Sequence, residues 1–284
     1  MKSSRRDFLK RAITTGALCC VPFQYNAFSL IVKARKFGVI LGLLKAELEK
    51  DYEDTLGLIA DLGYEEVEFG GTYGVSKFDF KNALISFGLK AVAGGASISV
   101  LQIELGKYID DALFFERPYV ICYWPWFDDG LNKKLDDFKT AAERLNTIGE
   151  QVRKEGLKFA FHNHDKEFVD VGGGKLGYDI ILEETDPSLV DMEIDLYWVK
   201  KGNADPLDYF EKYPGRFKIC HVKDMDDTPE GSFEIVGKGI IDFQRILNRS
   251  DQAGLQHFIV EQDNAPDPVM TITESIKYLK QLNF

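Results

Sequence analysis

Downstream of Lys36 the chain alternates between short apolar runs rich in Val, Ile and Phe and longer stretches with helical spacing. The runs are KFGVILG (36–42), EEVEFG (65–70), KAVAGGAS (90–97), YVICYW (119–124), KFAFHNH (158–164), VDMEIDLYW (190–198), FKICHVKD (217–224) and HFIVEQD (257–263). Between them lie stretches such as DYEDTLGLIADLG (51–63), LNKKLDDFKTAAERLNTIGEQVRKEG (131–156) and DPVMTITESIKYLKQL (267–282). Gly63, Gly88, Gly156, Gly215 and Gly254 stand where a helix would stop before the next strand. Strands that alternate with helices pair in parallel. Eight such units over about 250 residues predict an α/β protein, a single (β/α)8 TIM barrel. A doubly wound open sheet is the alternative, but no G-x-G-x-x-G follows the first run.

Residues 1–32 break this pattern. SSRRDFLKRAITTGALCCVPF (3–23) sets Arg5 and Arg6 ahead of Phe8, Leu9 and Lys10, then a weakly apolar run from Ala12 to Val21. That layout resembles a twin-arginine export signal; a frayed basic helix is the alternative. The run is shorter than the roughly 20 apolar residues that span a bilayer. The expected organisation is a leader over 1–32 and the barrel over 33–284. The expected location is periplasmic or extracellular, with no membrane attachment once the leader is gone. Two cysteines leave with it. Cys122 and Cys220 remain, each inside an apolar run, and read as buried free thiols, with a disulfide in an oxidising compartment as the alternative.

Of 284 residues, 35 are Lys or Arg and 46 are Asp or Glu, a net charge of -11. That balance argues against nucleic acid as a partner.

In a barrel of this kind the chemistry sits at the C-terminal ends of the strands. Side chains alternate along a strand. His162 and His164 therefore share a face, as do Glu193 and Asp195, His221 and Lys223, and Glu261 and Asp263. Four successive strands end in His162, Asp195, His221 and Glu261. Charged groups on apolar strands are costly unless paired or bound to a cation. Two imidazoles and two carboxylates suit one divalent ion. Mn2+ is the first expectation, with Zn2+, Co2+, Fe2+ and Mg2+ as alternatives; unrelated rim ion pairs are the other reading.

VEFGG (67–71), FHNHDKEF (161–168), EIDLYWVKKGNADP (193–206), HVKDMD (221–226), GKGIIDF (237–243) and VEQDNAP (260–266) resemble the xylose isomerase-like barrel superfamily of sugar isomerases and epimerases. The resemblance covers nearly everything after the leader. It implies a metal held by Glu, Asp, His and Glu from strands five to eight. The last three fall on Asp195, His221 and Glu261; the first position here holds His162. In those epimerases the two glutamates also serve as acid and base, and here only Glu261 remains. The His-x-His pattern resembles the keto-inositol dehydratases of the same superfamily instead.

Further candidates are expected around the mouth. Glu261 is the expected base, His164 a second ligand or proton carrier, and Lys223 a group that polarises a carbonyl or neutralises an enolate. An ion pair of Lys223 with Glu193 or Asp224 is the competing reading. Glu68, Glu167, Trp124 and Trp126 are candidate substrate contacts, the tryptophans as stacking planes. GKG (237–239) reads as a turn rather than a phosphate loop. The expected partner is a small sugar or keto-sugar, and a homo-oligomer is compatible with the sequence. The first functional reading is a metal-dependent isomerase or epimerase that removes a proton next to a carbonyl. A metal-dependent lyase or dehydratase on a keto-sugar and a non-catalytic sugar-binding barrel are the alternatives. The charge and a total of four histidines argue against DNA-repair endonuclease chemistry.

Overall fold

The structure, a computed structural model, describes residues 35–284, so the leader expected over residues 1–32 lies outside the described residues. Strands form at β1 (Phe37–Ile40), β2 (Glu66–Glu68), β3 (Lys90–Ala93), β4 (Gly95–Ser97), β5 (Tyr119–Trp124), β6 (Lys158–His162), β7 (Asp191–Asp195), β8 (Phe217–Val222), β9 (Asp224–Met225), β10 (Phe233–Glu234) and β11 (His257–Val260). Nine of them make one parallel sheet in the order β3-β2-β1-β11-β8-β7-β6-β5-β4. The sheet is a nearly closed TIM-type barrel. Its two ends, β3 and β4, are halves of the single third run expected from the sequence, broken at Gly94.

That break has a packing cause. A side chain at Gly94 would meet the Phe69 carbonyl oxygen and Arg117 Nη1 at 2.1 Å, and one at Gly95 would meet the Ile121 carbonyl at 1.8 Å. Arg117 Nη1 donates to the Phe69 carbonyl (2.6 Å) across the same gap. Only glycine lets the third strand turn from β2 towards β5 here.

The helices form where the spacing placed them. Asp51 caps the helix Tyr52–Leu62 by accepting from Asp54 N (3.0 Å). All five glycines expected as stops have positive φ. The long helix Leu135–Lys154 buries Phe138, Ala141, Leu145, Ile148 and Val152 against the sheet. Cys122 and Cys220 are both free and buried.

Inside the barrel, Tyr119, Ile121, Ala160, Ile219 and Ile259 form an apolar cluster separate from the main core outside the sheet. Two residues further along the same strand faces come Tyr123, His162, His221 and Glu261. The sequence thus switches from apolar to polar within one alternation step, and this switch sets the depth of the site. Beyond β8 the loop is organised by Asp224, whose carboxylate accepts from the backbone N–H groups of Met225, Gly237, Gly239 and Ile241 (2.8–3.1 Å). GKG is therefore a turn wrapped on a carboxylate, with the amides of Gly237 and Gly239 already engaged.

Candidate active site

His162 ends β6, Asp195 ends β7 and His221 lies near the end of β8. Pairing in the sheet sets His162 beside Glu193 and Asp195 beside His221. One ligand atom from each of His162, Asp195 and His221 lies within 4.8 Å of the others, and all three residues are buried. Two imidazole nitrogens and a carboxylate oxygen fit a divalent ion of the Mn2+, Fe2+, Co2+ or Zn2+ type. Glu261 stands beside this group: its Oε2 is 2.9 Å from His221 Nδ1 and 3.0 Å from Lys223 Nζ.

Lys223 is nearly inaccessible, at 1% exposure. Its ammonium faces Asp195 Oδ2 (3.5 Å), Glu261 Oε2 (3.0 Å) and Asp263 Oδ2 (2.5 Å). Tyr197, Trp198 and Phe233 supply ring faces around it, at 5.1–5.8 Å from their centroids. Burial opposes its charge, but Glu261, Asp195 and Asp263 override that and raise its pKa. The ion pair with Glu193 or Asp224, the competing reading, does not form. Glu193 turns instead to His162, and Asp224 is occupied by backbone amides.

Electrostatics follow from burial. Burial, helped by the neighbouring His221, pushes the His162 pKa down to about 3. Burial and His162 push His164 down to about 2, so both imidazoles are neutral. Burial opposes charge on His221, yet Glu193, Glu68 and Glu261 together push its pKa well above the ordinary histidine value. Burial raises Asp195 to about 6, against the pull of Lys223. Burial also disfavours the Glu261 carboxylate, but Lys223 and His221 outweigh it and hold its pKa well below the usual range. Glu261 is thus an ionised carboxylate.

A cavity of about 220 Å3 opens over these groups, lined by Tyr123, His162, His164, His221, Lys223 and Glu261 among others. Ile40, Gly42, Glu261 and Asp263 are shared with an adjoining recess of about 690 Å3. His164 sits at the edge, its ring 5.1 Å from Trp124 and 5.2 Å from Trp198, with Nδ1 buried and without a hydrogen-bond partner.

Three expected substrate contacts are placed elsewhere. Trp126 is 4% exposed and packs on Phe138, and its Nε1 donates to Glu167 Oε1 (2.9 Å). Glu167 Oε2 accepts from His164 N (2.6 Å). Trp126 and Glu167 therefore spend their polar atoms on each other and on the strand end, and neither lines the cavity. Glu68 is fully buried below it, accepting from Tyr123 Oη (2.6 Å) and His221 Nε2 (3.4 Å).

Other residues of the site were not expected. Glu193 accepts from His162 Nδ1 (2.9 Å). Tyr123 anchors Glu68. Asn163 grips the Asp195 backbone, accepting from its N–H (3.1 Å) and donating to its carbonyl (3.4 Å). The available signal was polarity: Glu193 is a polar position in an otherwise apolar strand, and Asn163 directly follows one.

The profile of the family described as Xylose isomerase-like TIM barrel matches residues 56–282. An inosose dehydratase from Clostridium perfringens is 27% identical over 177 residues, 55% of this chain. The match spans 59% of that relative's own length. A solved sugar phosphate isomerase/epimerase from Parabacteroides distasonis superposes with a TM-score of 0.74 at 24% identity, covering 90% of this chain and 97% of that one. A probable 3-DHS dehydratase from Bacillus anthracis superposes at 0.71 with 13% identity, covering 87% and 99%. At these identities the two structures establish the fold.

Proposed function

Since this chain belongs to the xylose isomerase-like TIM barrel family, we propose that it is a metal-dependent lyase that removes water from a keto-sugar or keto-inositol. The observation that carries the reading is the placement of carboxylates. Of the acidic groups, Glu261 and Asp263 line the cavity, and both come from the end of β11. On β6, where the family's sugar epimerases place a second glutamate, stand His162 and His164. Two-base epimerisation with a carboxylate on either side of one carbon lacks its carboxylate on the β6 side here, since Glu261 and Asp263 both follow β11. Elimination needs only one carboxylate. The relative named inosose dehydratase supports the same choice.

When bound at His162, Asp195, His221 and Glu261, a divalent ion supplies Lewis-acid polarisation of the substrate's oxygens. The chain's own residues do the rest. Glu261, ionised and held by Lys223 and His221, takes the proton next to the carbonyl. The buried Lys223 ammonium offsets the negative charge that develops on the carbonyl oxygen. The abstracted proton and the expelled hydroxide leave together as water, so atoms balance without a co-reactant. Asn163 and Glu193 fix the backbone of Asp195 and the ring of His162.

Isomerisation or epimerisation shares the first step and is the second reading, supported by the Parabacteroides distasonis fold neighbour. Incubation with keto-inositols and keto-sugars, read by mass spectrometry, separates the two. Products lighter by one water are expected; products of unchanged mass contradict elimination. For residues 1–32 we propose the twin-arginine leader on the sequence motif, and recovery of the protein in the periplasmic or extracellular fraction is the expected outcome of cell fractionation.

A further inference from the structure

The mouth of the barrel continues past the cavity over the ligand group into a second space that no step above uses. The inner cavity measures about 220 Å3 and the adjoining recess about 690 Å3, and Ile40, Gly42, Glu261 and Asp263 line both. Pockets for small-molecule ligands usually span about 300–1,000 Å3. The inner cavity alone falls short of that range, and the two together reach its upper part. The recess lies between the segment after β1, residues 42–49, and the segment after β11, residues 262–268. Both belong to the C-terminal face, where barrels of this kind take their substrates.

Gly42 is exposed and stands on the passage between the two spaces. A side chain there would meet no atom within 4 Å of its Cβ, and no positive φ demands glycine. A larger residue would simply stand in the passage. Gln262 borders the recess at 5% exposure. Its Oε1 accepts from Thr271 Oγ1 (2.9 Å), while its side-chain N–H groups bond to no protein group among the described residues. A buried amide donor is normally paired, so water or a ligand supplies the acceptor. Asn264, in the left-handed conformation at φ 52°, adds a second side-chain amide without a protein partner among the described residues.

The charges select the ligand. Among the lining residues Lys45 is the cation, and it pairs with Glu49 at 3.7 Å. Glu47 makes no ion pair among the described residues, while Glu261 and Asp263 are held by Lys223 (3.0 and 2.5 Å). A phosphate in the recess would meet more negative charge than positive, and like charges at close range repel. The rest of the lining sets Leu43, Ala46 and Pro268 beside the two amides. Apolar walls with a few polar groups suit a ring with C–H faces and hydroxyl edges.

We propose that the recess is a second subsite for a neutral, hydroxyl-rich unit attached to the reacting keto ring, so that the substrate is a keto-sugar of two linked units rather than a single ring or a sugar phosphate. The inference rests on the keto-sugar reading for the ring at Glu261, whereas the recess is independent of which bond breaks there. Gln262 and Asn264 offer donors to the hydroxyls of the second unit, Glu47 offers an acceptor, and the passage at Gly42 admits the linkage. None of the four touches the reacting carbon; they set specificity.

Ligand-observed NMR titrations of the full chain with Mg2+ present test this without turnover. The probes are glucose, glucose 6-phosphate, cellobiose, maltose and trehalose. At least one disaccharide is expected to bind about tenfold tighter than glucose, the worth of one or two net hydrogen bonds. Glucose 6-phosphate is expected to bind no tighter than glucose. The disaccharide advantage should be lost in Gly42→Leu and reduced in Asn264→Gly, which keeps the left-handed backbone and removes only the amide. Disaccharides that bind no tighter than glucose overturn the subsite, as does an advantage that survives in Gly42→Leu. Tighter binding of glucose 6-phosphate than of the disaccharides, or no binding by any probe, overturns it as well. Should Gly42→Leu fail to fold, the wild-type comparison and Asn264→Gly carry the test. A disaccharide preference in a protein whose products never lose water sustains the subsite and contradicts elimination. Loss of water from single-ring keto-sugars without any disaccharide preference does the reverse.

Discussion

Lys223 Nζ lies 3.0 Å from Glu261 Oε2, so the ionised carboxylate at the end of β11 is held by a buried ammonium from the end of β8. This contact joins stability to chemistry. Lys223→Met removes the cation shared by Asp195, Glu261 and Asp263. Breaking a buried ion pair by deleting one partner costs about 3–5 kcal/mol, because the remaining charge stays buried. The metal-free variant should melt well below the wild type. Added Mn2+ should raise its Tm more than it raises the wild type's, since the ion replaces the missing positive charge. Equal Tm gains in the two proteins would show that Lys223 and the ion act at separate places.

Asp195→Ala removes the carboxylate of the three-residue group. Metal content measured by elemental analysis should fall sharply. The same change deletes the Asp195 Oδ1 bond to Trp198 N (3.0 Å) that caps the helix Leu196–Lys201, a loss of about 1 kcal/mol. The barrel should still unfold cooperatively, because the apolar strand faces are untouched.

Glu167 links stability to pH. Burial raises its pKa to about 7, against the bonds from His164 N and Trp126 Nε1. The unfolded carboxyl loses its proton near its ordinary value of 4.5, while the folded one keeps it until about 7. In that window the folded state binds more protons, so stability falls as pH rises. The Glu167 share is fully present below pH 4.5 and gone above about pH 7. A shift of this size corresponds to about 3 kcal/mol. Urea midpoints at pH 5 and pH 8 should differ more for the wild type than for Glu167→Gln, which has nothing to titrate there.

Asp224→Ala should loosen the loop after β8. Four backbone N–H groups lose their acceptor, and each buried unsatisfied donor costs about 1–3 kcal/mol. New proteolytic cleavage between residues 225 and 241 is expected, with the barrel fragments otherwise intact. An unchanged digestion pattern would show that the loop is held by its apolar contacts instead.

Much of this architecture was legible from alternation alone. Eight apolar runs gave the strands of the barrel sheet but not the short β9–β10 pair, and the glycine stops gave helix ends. The break at Gly94 was not legible, because it depends on the Ile121 carbonyl and Arg117 side chain from elsewhere in the chain. The shared faces of His162, Asp195, His221 and Lys223 followed from a two-residue period. Their partners did not. Alternation says which face a residue takes, not how deep it sits or what lies across the barrel. Glu193 was assigned to the right face of β7, but its pairing with His162 depends on the register between β6 and β7. Glu167 and Trp126 lie near the strand ends in sequence, yet they satisfy each other behind the site. Only the packing of the loop after β6 shows that.

The most direct measurement of the central claim is exchange of the substrate's α-hydrogen in deuterated water by the metal-loaded protein, followed by NMR for the wild type and Glu261→Gln. The amide keeps an oxygen for the metal but is no useful base near neutral pH. Exchange is expected in the wild type, with a rate lower by about 10²–10⁴-fold in Glu261→Gln and metal content largely retained. Equal exchange rates in the two proteins would contradict this and move the base away from Glu261.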